Sequence, residues 1–146
     1  MMDLEYTLPS QTHGKSQNRI GDRKIAIIDD ENDLLYVYKK ALEFQGLKVI
    51  TFDDSSLALD ELKEHYKKYC MVLVDIRMPI VNGYQIATEV NSVDPSIKIV
   101  LMSAYDVSEG DVLNNVSNGV RIDGVMHKPF SLIKLINTVN TLLEKY

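Results

Sequence analysis

The sequence predicts an α/β fold in which a five-stranded parallel sheet carries helices on both faces. Two observations support this class. From residue 23 onward, short apolar runs alternate five times with segments of helical periodicity, which is the pattern of a doubly wound sheet. The apolar runs are also continuous rather than alternating, as expected of parallel strands buried on both faces. The 146 residues suffice for one such domain with a short tail.

The first half of the chain contains three predicted strands and two predicted helices. The strands are the runs KIAII at 24–28, LKVITF at 47–52 and MVLV at 71–74. The first helix, over 34–45, has apolar residues at helical spacing and ends at Gly46, since glycine commonly stops a helix. The second helix follows Ser55 and Ser56, and we expect one of these serines to cap it.

The second half continues the same alternation. A loop contains Pro79 and the pair Asn82-Gly83, which we interpret as a turn, and a short helix follows over 84–93. Strands are predicted at 97–102 and 122–126, with a weak helix at 107–116 between them. Ser131 is expected to cap the last helix. The alternation of strands and helices predicts one domain at 22–146. Residues 1–21 are rich in polar residues and are predicted to form a flexible tail.

Composition restricts the possible partners and locations. The net charge is −5, which argues against nucleic acid as a direct partner because phosphate binding needs clustered Lys and Arg. The sequence shows neither a secretory signal nor a membrane-spanning stretch, so we expect a cytoplasmic protein that does not bind membranes. Cys70 is the only cysteine. It is expected to be a small buried apolar residue.

Polar residues follow four of the five predicted strands at the point where each strand ends. They are Asp29-Asp30, Asp75, Ser103 and Lys128. The carboxyl ends of parallel strands share one edge of a doubly wound sheet, and ligands bind where the strand order reverses. The order 2-1-3-4-5 is one of the common orders of doubly wound sheets, and in that order the first and third strands are neighbours at the reversal point. The three carboxylates would then face one another, with the hydroxyl and the ammonium beside them.

This set of side chains suits phosphoryl transfer to a carboxylate. Three crowded carboxylates need a cation, and oxygen ligands beside a phosphate suit Mg²⁺. A hydroxyl and a fixed ammonium suit a phosphoryl group, whose charge is spread over three oxygens. Asp75 is the candidate nucleophile that would form an aspartyl phosphate.

Several short motifs appear in a fixed order along the chain. They are Asp29-Asp30-Glu31, Asp75 followed by Ile76-Arg77-Met78-Pro79 and Asn82-Gly83, Ser103-Ala104, and Lys128-Pro129-Phe130. On these motifs the chain resembles the receiver domains of two-component response regulators, over about residues 23–145. The resemblance implies a flavodoxin-like fold and a signalling switch rather than an enzyme. It also implies a histidine kinase or phosphotransfer protein as phosphodonor, and a downstream protein target.

The resemblance also implies a role for each site residue. Asp75 would be the phosphoacceptor, Asp30 and Asp75 would bind Mg²⁺ directly, Asp29 would act through water, and the Arg77 carbonyl would be a further ligand. The remaining predicted contacts to the phosphoryl group come from the Ser103 hydroxyl, the Lys128 ammonium and the backbone amides of Ile76 and Ala104. Glu31 is predicted either to complement the helix dipole or to take part in metal binding.

The chain departs from the family pattern at one position that matters for switching. Receiver domains usually carry an aromatic residue three positions before the lysine, where this chain has Val125. Tyr105 is our candidate substitute, and the segment 106–121 is the candidate mobile output element. His127 is interpreted as a surface residue at a strand end, with a sensing role as the alternative.

Three other functions remain as alternatives. A pseudo-receiver would bind partners without phosphorylation. A phosphohydrolase with an aspartate nucleophile usually has a second Asp two residues after the first, where this chain has Arg77. A flavin-binding protein would need a phosphate-binding loop that is absent here. We expect a receiver that works without an output domain, since the last predicted helix reaches the end of the given sequence.

Overall fold

The computed structural model describes residues 22–104, 108–116 and 119–144. The predicted tail at 1–21 and the switch candidate Tyr105 therefore lie outside the described residues, as does part of the predicted output segment. Strands and helices alternate along the rest of the chain. Their bounds are β1 Lys24–Ile28, α1 Asn32–Phe44, β2 Val49–Phe52, α2 Ser55–Glu64, β3 Tyr69–Asp75, α3 Gly83–Val93, β4 Lys98–Ala104, α4 Glu109–Asn115, β5 Gly124–Lys128 and α5 Leu132–Leu143.

The described strands form one parallel sheet of five strands in the order β2-β1-β3-β4-β5. The predicted fold class and strand order are confirmed. The bounds of β1 are as predicted, and those of the other strands differ from the predicted ones by one or two residues. β3 and β4 both extend beyond their apolar runs to include a polar residue of the site, Asp75 and Ser103 respectively.

Two buried clusters cover the two faces of the sheet. All seven residues of β3 are buried, because this central strand has helices on both sides. Alternate residues of β3 go to opposite clusters, as the pleat requires: Val72 and Val74 pack with α2 and α3, and Met71 and Leu73 pack with α1 and α5. Met102 and Met126 join the second cluster.

Helix caps fix where several elements begin. Ser131 accepts a hydrogen bond from the backbone N–H of Lys134, so it caps α5 as predicted. The predicted cap of α2 was wrong. Asp54 takes that position and accepts from the N–H groups of Ser56 and Leu57, because its carboxylate lies one residue before the helix starts. Within the described part of the chain, no helix is long and apolar enough to cross a membrane.

Candidate functional site

The four groups of polar residues predicted to meet do lie at the carboxyl edge of the sheet. Asp29 directly follows β1, while Asp75, Ser103 and Lys128 are at or next to the last position of their strands. Asp29, Asp75 and Ser103 are buried, although most polar residues of this size are exposed in proteins. Three buried polar side chains at one edge indicate a site rather than ordinary strand ends.

Three carboxylates form the centre of the site. Asp29, Asp30 and Asp75 each offer an oxygen atom, and these oxygens lie within 4.8 Å of one another. Such crowding of negative charge is unfavourable without a cation, and a set of hard oxygen donors fits Mg²⁺. Asp30 is exposed and Asp29 is fully buried. This difference agrees with the predicted direct contact for Asp30 and indirect contact for Asp29, which remain predictions.

Lys128 is the cation that the protein itself supplies. Its Nζ lies 2.6 Å from Oδ2 of Asp29, 3.5 Å from Oδ2 of Asp75 and 3.5 Å from Oε1 of Glu31. Burial lowers the pKa of Lys128, but the hydrogen bond and charge of Asp29 and the charge of Asp75 outweigh it, so the pKa of Lys128 is raised. Lys128 therefore stays charged and links the acids of β1 and β3.

Glu31 occupies the N-cap position of α1 and makes no side-chain cap hydrogen bond. Its carboxylate points instead toward Lys128, at 3.5 Å. The structure thus pairs Glu31 with Lys128 at the edge of the site, and the two predicted roles, at the helix dipole and in metal binding, remain predictions.

Asp75 has an unusual tendency to hold a proton. Burial raises the pKa of its carboxyl group, Lys128 lowers it, the charges of Asp29 and Asp30 raise it, and a hydrogen bond from the Arg77 backbone N–H lowers it, giving a pKa of about 6. A carboxylate with poor solvation and nearby like charges is a stronger nucleophile than an exposed one. Perturbed acids of this kind are typical of functional sites.

One predicted backbone contact is not supported. The Ile76 N–H donates to the Met102 carbonyl at 2.9 Å, continuing the contact between β3 and β4. An N–H group has one hydrogen, so this amide is already in use. The Arg77 amide is the one that the structure brings to the Asp75 carboxylate. Ala104 ends β4 and lines the cleft beside Asp75, in agreement with its predicted position.

The loop after Asp75 is held by residues that the sequence analysis did not assign to the site. The Ser55 hydroxyl donates to the Pro79 carbonyl at 2.8 Å and accepts from the Val81 N–H at 3.3 Å. The predicted turn at Asn82-Gly83 was wrong, since Asn82 caps α3 through a reciprocal pair of hydrogen bonds with Gln85. A motif of Asn followed three residues later by Gln, which is a known helix-start signal, was the clue in the sequence.

Ile80 lies in the same loop and has a φ angle of +72°, which a β-branched residue rarely adopts. Its side chain is 82% exposed. The cost of this conformation is therefore not offset by burial, and the loop beside the site is locally strained.

Gly83 permits the close approach of α3 to the end of β3. A Cβ atom at this position would lie 2.6 Å from the Asp75 carbonyl oxygen and 2.8 Å from the Ile76 Cα. Both are backbone atoms and cannot move aside cheaply. We expect Gly83→Ala to lower the free energy of unfolding by about 2 kcal/mol, as overpacking commonly does.

Chemical denaturation measures this effect, with Gly110→Ala as the matched control. Gly110 is also helical, but its added Cβ would meet nothing closer than the Ser108 Oγ at 3.6 Å. Gly110→Ala should therefore be neutral or stabilise the protein by about 0.5 kcal/mol. Equal behaviour of the two variants would contradict the close-approach argument.

Ser103 makes a contact that sequence analysis did not predict. Its Oγ lies 3.1 Å from Nδ1 of His127, the residue opposite it on β5. Val125 is partly buried and packs against the core cluster beneath α2, α3 and α4, so an apolar side chain takes the place where an aromatic residue was expected from the family pattern.

A cleft of about 590 Å³ opens beside Asp75. Its lining includes Asp75, Lys128 and Ala104, together with apolar side chains of α1 and of the chain after β5, namely Leu34, Val37, Tyr38, Phe130 and Leu132. Tyr38 and Phe130 stack with their ring centroids 5.2 Å apart. The cleft gives another molecule access to the phosphoacceptor candidate from the solvent.

Cys70 is buried, as predicted, and burial raises the pKa of its thiol to about 11. A protonated and inaccessible thiol is unreactive, so Cys70 takes no part in the site.

Comparison with known protein families agrees with these observations. The family model described as "Response regulator receiver domain" matches residues 25–140. The curated response regulator receiver protein CpdR of Brucella abortus is 31% identical over 121 residues, which is 83% of this chain and 97% of that protein. The nisin biosynthesis regulatory protein NisR of Lactococcus lactis is 32% identical over 122 residues, and there the chain spans only about half (51%) of the relative.

Solved structures show the same fold. A response regulator receiver protein from Sinorhizobium medicae superposes with a TM-score of 0.72 at 27% identity, covering 84% of this chain and 94% of that one. A CheY-like receiver domain protein from Methanospirillum hungatei gives a TM-score of 0.74 at 22% identity, covering 84% and 94% of the two chains. The second similarity concerns the fold alone.

Proposed function

The chain belongs to the family of response regulator receiver domains, and from this premise we propose that Asp75 is the residue that accepts a phosphoryl group. The single observation that carries the assignment is the position of Asp75. It is buried at the end of the central strand, and its Oδ2 lies 3.5 Å from Nζ of Lys128. One of its carboxylate oxygens also lies within 4.8 Å of an oxygen of Asp29 and of an oxygen of Asp30. No other carboxylate among the described residues combines these features with access from the cleft.

In the proposed reaction, an oxygen of Asp75 attacks the phosphorus atom of a phosphohistidine on the donor protein. The new O–P bond forms while the N–P bond breaks, and the donor imidazole is released with a proton taken from solvent. Lys128 is placed to exchange part of its pairing with Asp29 for the phosphoryl oxygens, because its Nζ already lies between Asp29 and Asp75. Ser103 supplies a hydroxyl from the neighbouring strand.

Mg²⁺ belongs to the proposal because the donor set fits it. Asp30 and Asp75 would hold the ion, with Asp29 acting through water and the Arg77 carbonyl as a further ligand. When bound, the ion would offset the negative charge of the carboxylates and of the incoming phosphoryl group. The oxygens of Asp29, Asp30 and Asp75 already lie within 4.8 Å of one another. Binding of the ion would therefore need no large rearrangement of the backbone.

We also propose that the protein is a switch and not an enzyme with a separate substrate. Its phosphodonor would be a histidine kinase or phosphotransfer protein that reaches Asp75 through the apolar cleft, and its output would be altered binding to a downstream protein. The absence of a direct nucleic-acid contact and a cytoplasmic location are parts of the same proposal. Known relatives include both CpdR, matched over 97% of its length, and proteins matched over half.

Intact mass spectrometry tests this function. The protein is incubated with Mg²⁺ and a small phosphodonor such as acetyl phosphate, with and without excess EDTA. We expect one added phosphoryl group, found on Asp75 by peptide mapping after borohydride reduction, and none in EDTA. An adduct on another residue would refute the assignment. Binding of Mg²⁺ without any adduct, even with several kinases and donors, would favour the pseudo-receiver alternative.

A further inference from the structure

Ser103 and His127 form a pair that crosses from the buried site to the protein surface. They lie opposite each other in the register of β4 and β5, and their side chains are joined by the 3.1 Å contact between Oγ and Nδ1. Ser103 is 1% exposed, whereas His127 is an exposed residue. Within the described part of the chain, His127 is the only hydrogen-bond partner of the Ser103 hydroxyl.

The number of hydrogens limits what this hydroxyl can do. A serine hydroxyl has one hydrogen to donate and can accept at its lone pairs. If Nδ1 of His127 is unprotonated, the hydroxyl donates to it, and no hydrogen remains for a phosphoryl oxygen. If Nδ1 carries the hydrogen, the imidazole donates to Oγ, and the hydroxyl is free to donate elsewhere. The state of His127 therefore decides whether Ser103 is available to the site.

A phosphoryl group on Asp75 selects between these two arrangements. Its oxygens only accept hydrogen bonds, and Ser103 lies one residue beyond Met102, the residue paired with Asp75 across β3 and β4. The favoured arrangement is then a continuous chain, from Nδ1–H of His127 to Oγ of Ser103 and from the Ser103 hydroxyl to the phosphoryl oxygen. Hydrogen bonds in such a chain strengthen one another.

We propose that His127 is a positioning residue that turns the Ser103 hydroxyl toward a phosphoryl group on Asp75 and thereby carries the phosphorylation signal to the surface at the end of β5. The proposal rests on the proposed function, because it requires a phosphoryl group at Asp75. It gives this chain a route to its surface that does not need an aromatic side chain at position 125, where Val125 is partly buried and packs against a core cluster.

Nitrogen-15 NMR of the histidine side chains in the full chain tests the hydrogen-bond exchange directly. The probe is beryllofluoride with Mg²⁺, which mimics an aspartyl phosphate. We expect the Nδ1 resonance of His127 to move on addition of the probe, and to stay in place in Ser103→Ala. His65, which contacts Glu61 on α2 at 2.9 Å and lies outside the site, is the internal control and should not move.

A binding cycle separates positioning from strand packing. His127→Val removes the hydrogen bond between His127 and Ser103. We expect this loss to raise the dissociation constant for beryllofluoride about two- to tenfold. His127→Asn should restore much of the affinity, because its side-chain amide places an N–H at the same bond distance from Cα as Nδ1. In a Ser103→Ala background, His127→Val should add no further loss. Thermal unfolding of each variant confirms that it is folded.

The outcomes distinguish this proposal from the function on which it rests. An unchanged His127 resonance in a wild-type protein that binds beryllofluoride would overturn the positioning role alone. An equal effect of His127→Val with and without the Ser103 hydroxyl would do the same. A wild-type protein that binds no beryllofluoride and takes up no phosphoryl group would overturn both.

Discussion

Replacing Asp75 with Asn should abolish phosphoryl labelling and raise the free energy of unfolding of the metal-free protein. The amide cannot act as the nucleophile, so the adduct disappears. The gain in stability arises because the folded protein holds the Asp75 carboxylate in a buried place beside two other acids. Lys128 keeps two carboxylate partners without it, Asp29 and Glu31.

The pH dependence of this gain follows from the pKa of Asp75, which is about 6 in the folded protein against an ordinary value of 3.8. Above pH 6 the carboxyl group is ionised in both the folded and the unfolded states, and the fold carries the full cost of the buried charge. As the pH falls through 6, the folded state takes up a proton first, and the cost is relieved. The advantage of Asp75→Asn should thus be on the order of 2 kcal/mol at pH 7 and should vanish below about pH 4.

Denaturant unfolding in EDTA at pH 7 and pH 4 measures the change in stability. Labelling of the same variants is measured separately, by mass spectrometry after incubation with Mg²⁺ and acetyl phosphate without EDTA. Asp60→Asn on α2 is the control, because Asp60 is exposed and lies outside the site. It should label normally and change stability by no more than about 0.5 kcal/mol. A variant at Asp75 that is less stable than wild type at pH 7 would show that Asp75 contributes a favourable charge interaction instead.

Replacing Lys128 with Met should have the opposite effect on stability. Lys128 is the protein cation that contacts Asp29, Asp75 and Glu31. Its removal leaves Asp29 buried without its 2.6 Å partner, and breaking a buried ion pair from one side costs about 3 kcal/mol. The loss should become smaller at low pH, where the carboxylates are protonated, and on addition of Mg²⁺, which would supply the missing positive charge.

A double-mutant cycle with Asp29→Asn tests the cause of this loss. The neutral amide removes the unpaired charge, so the combined variant should be more stable than Lys128→Met alone. Lys134→Met is the matched control, since Lys134 is an exposed lysine on α5 and its replacement should change stability by about 0.5 kcal/mol or less. If the two lysine variants behave alike, the charge network around Lys128 does not stabilise the fold.

Part of the site was predictable from the sequence because it follows from topology. Once the apolar runs are recognised as parallel strands, the residues that end them must meet at one edge. This reasoning assigns Asp29, Asp75, Ser103 and Lys128 to one edge without coordinates. In the structure all four lie at that edge, and Lys128 contacts Asp29 and Asp75. The role assigned to Ile76 did not follow in the same way, since it depends on which backbone groups are already paired. The pair Asn82-Gly83 was misassigned although Gln85, three residues after Asn82, is a local signal for a helix start.

The sequence by itself determined the fold class and the composition of the acidic edge, since periodicity and strand-end chemistry are local properties. The strand order was taken from the order common in such folds, and the structure confirms it. Only the tertiary structure decided how the site is supported. Gly83 lies against Asp75, 8 positions earlier in the chain, and His127 contacts Ser103, 24 positions earlier. Ser55 holds the loop after Asp75 through Val81, which is 26 positions away. No local pattern records such contacts, because the register of neighbouring strands and the packing of helices set them.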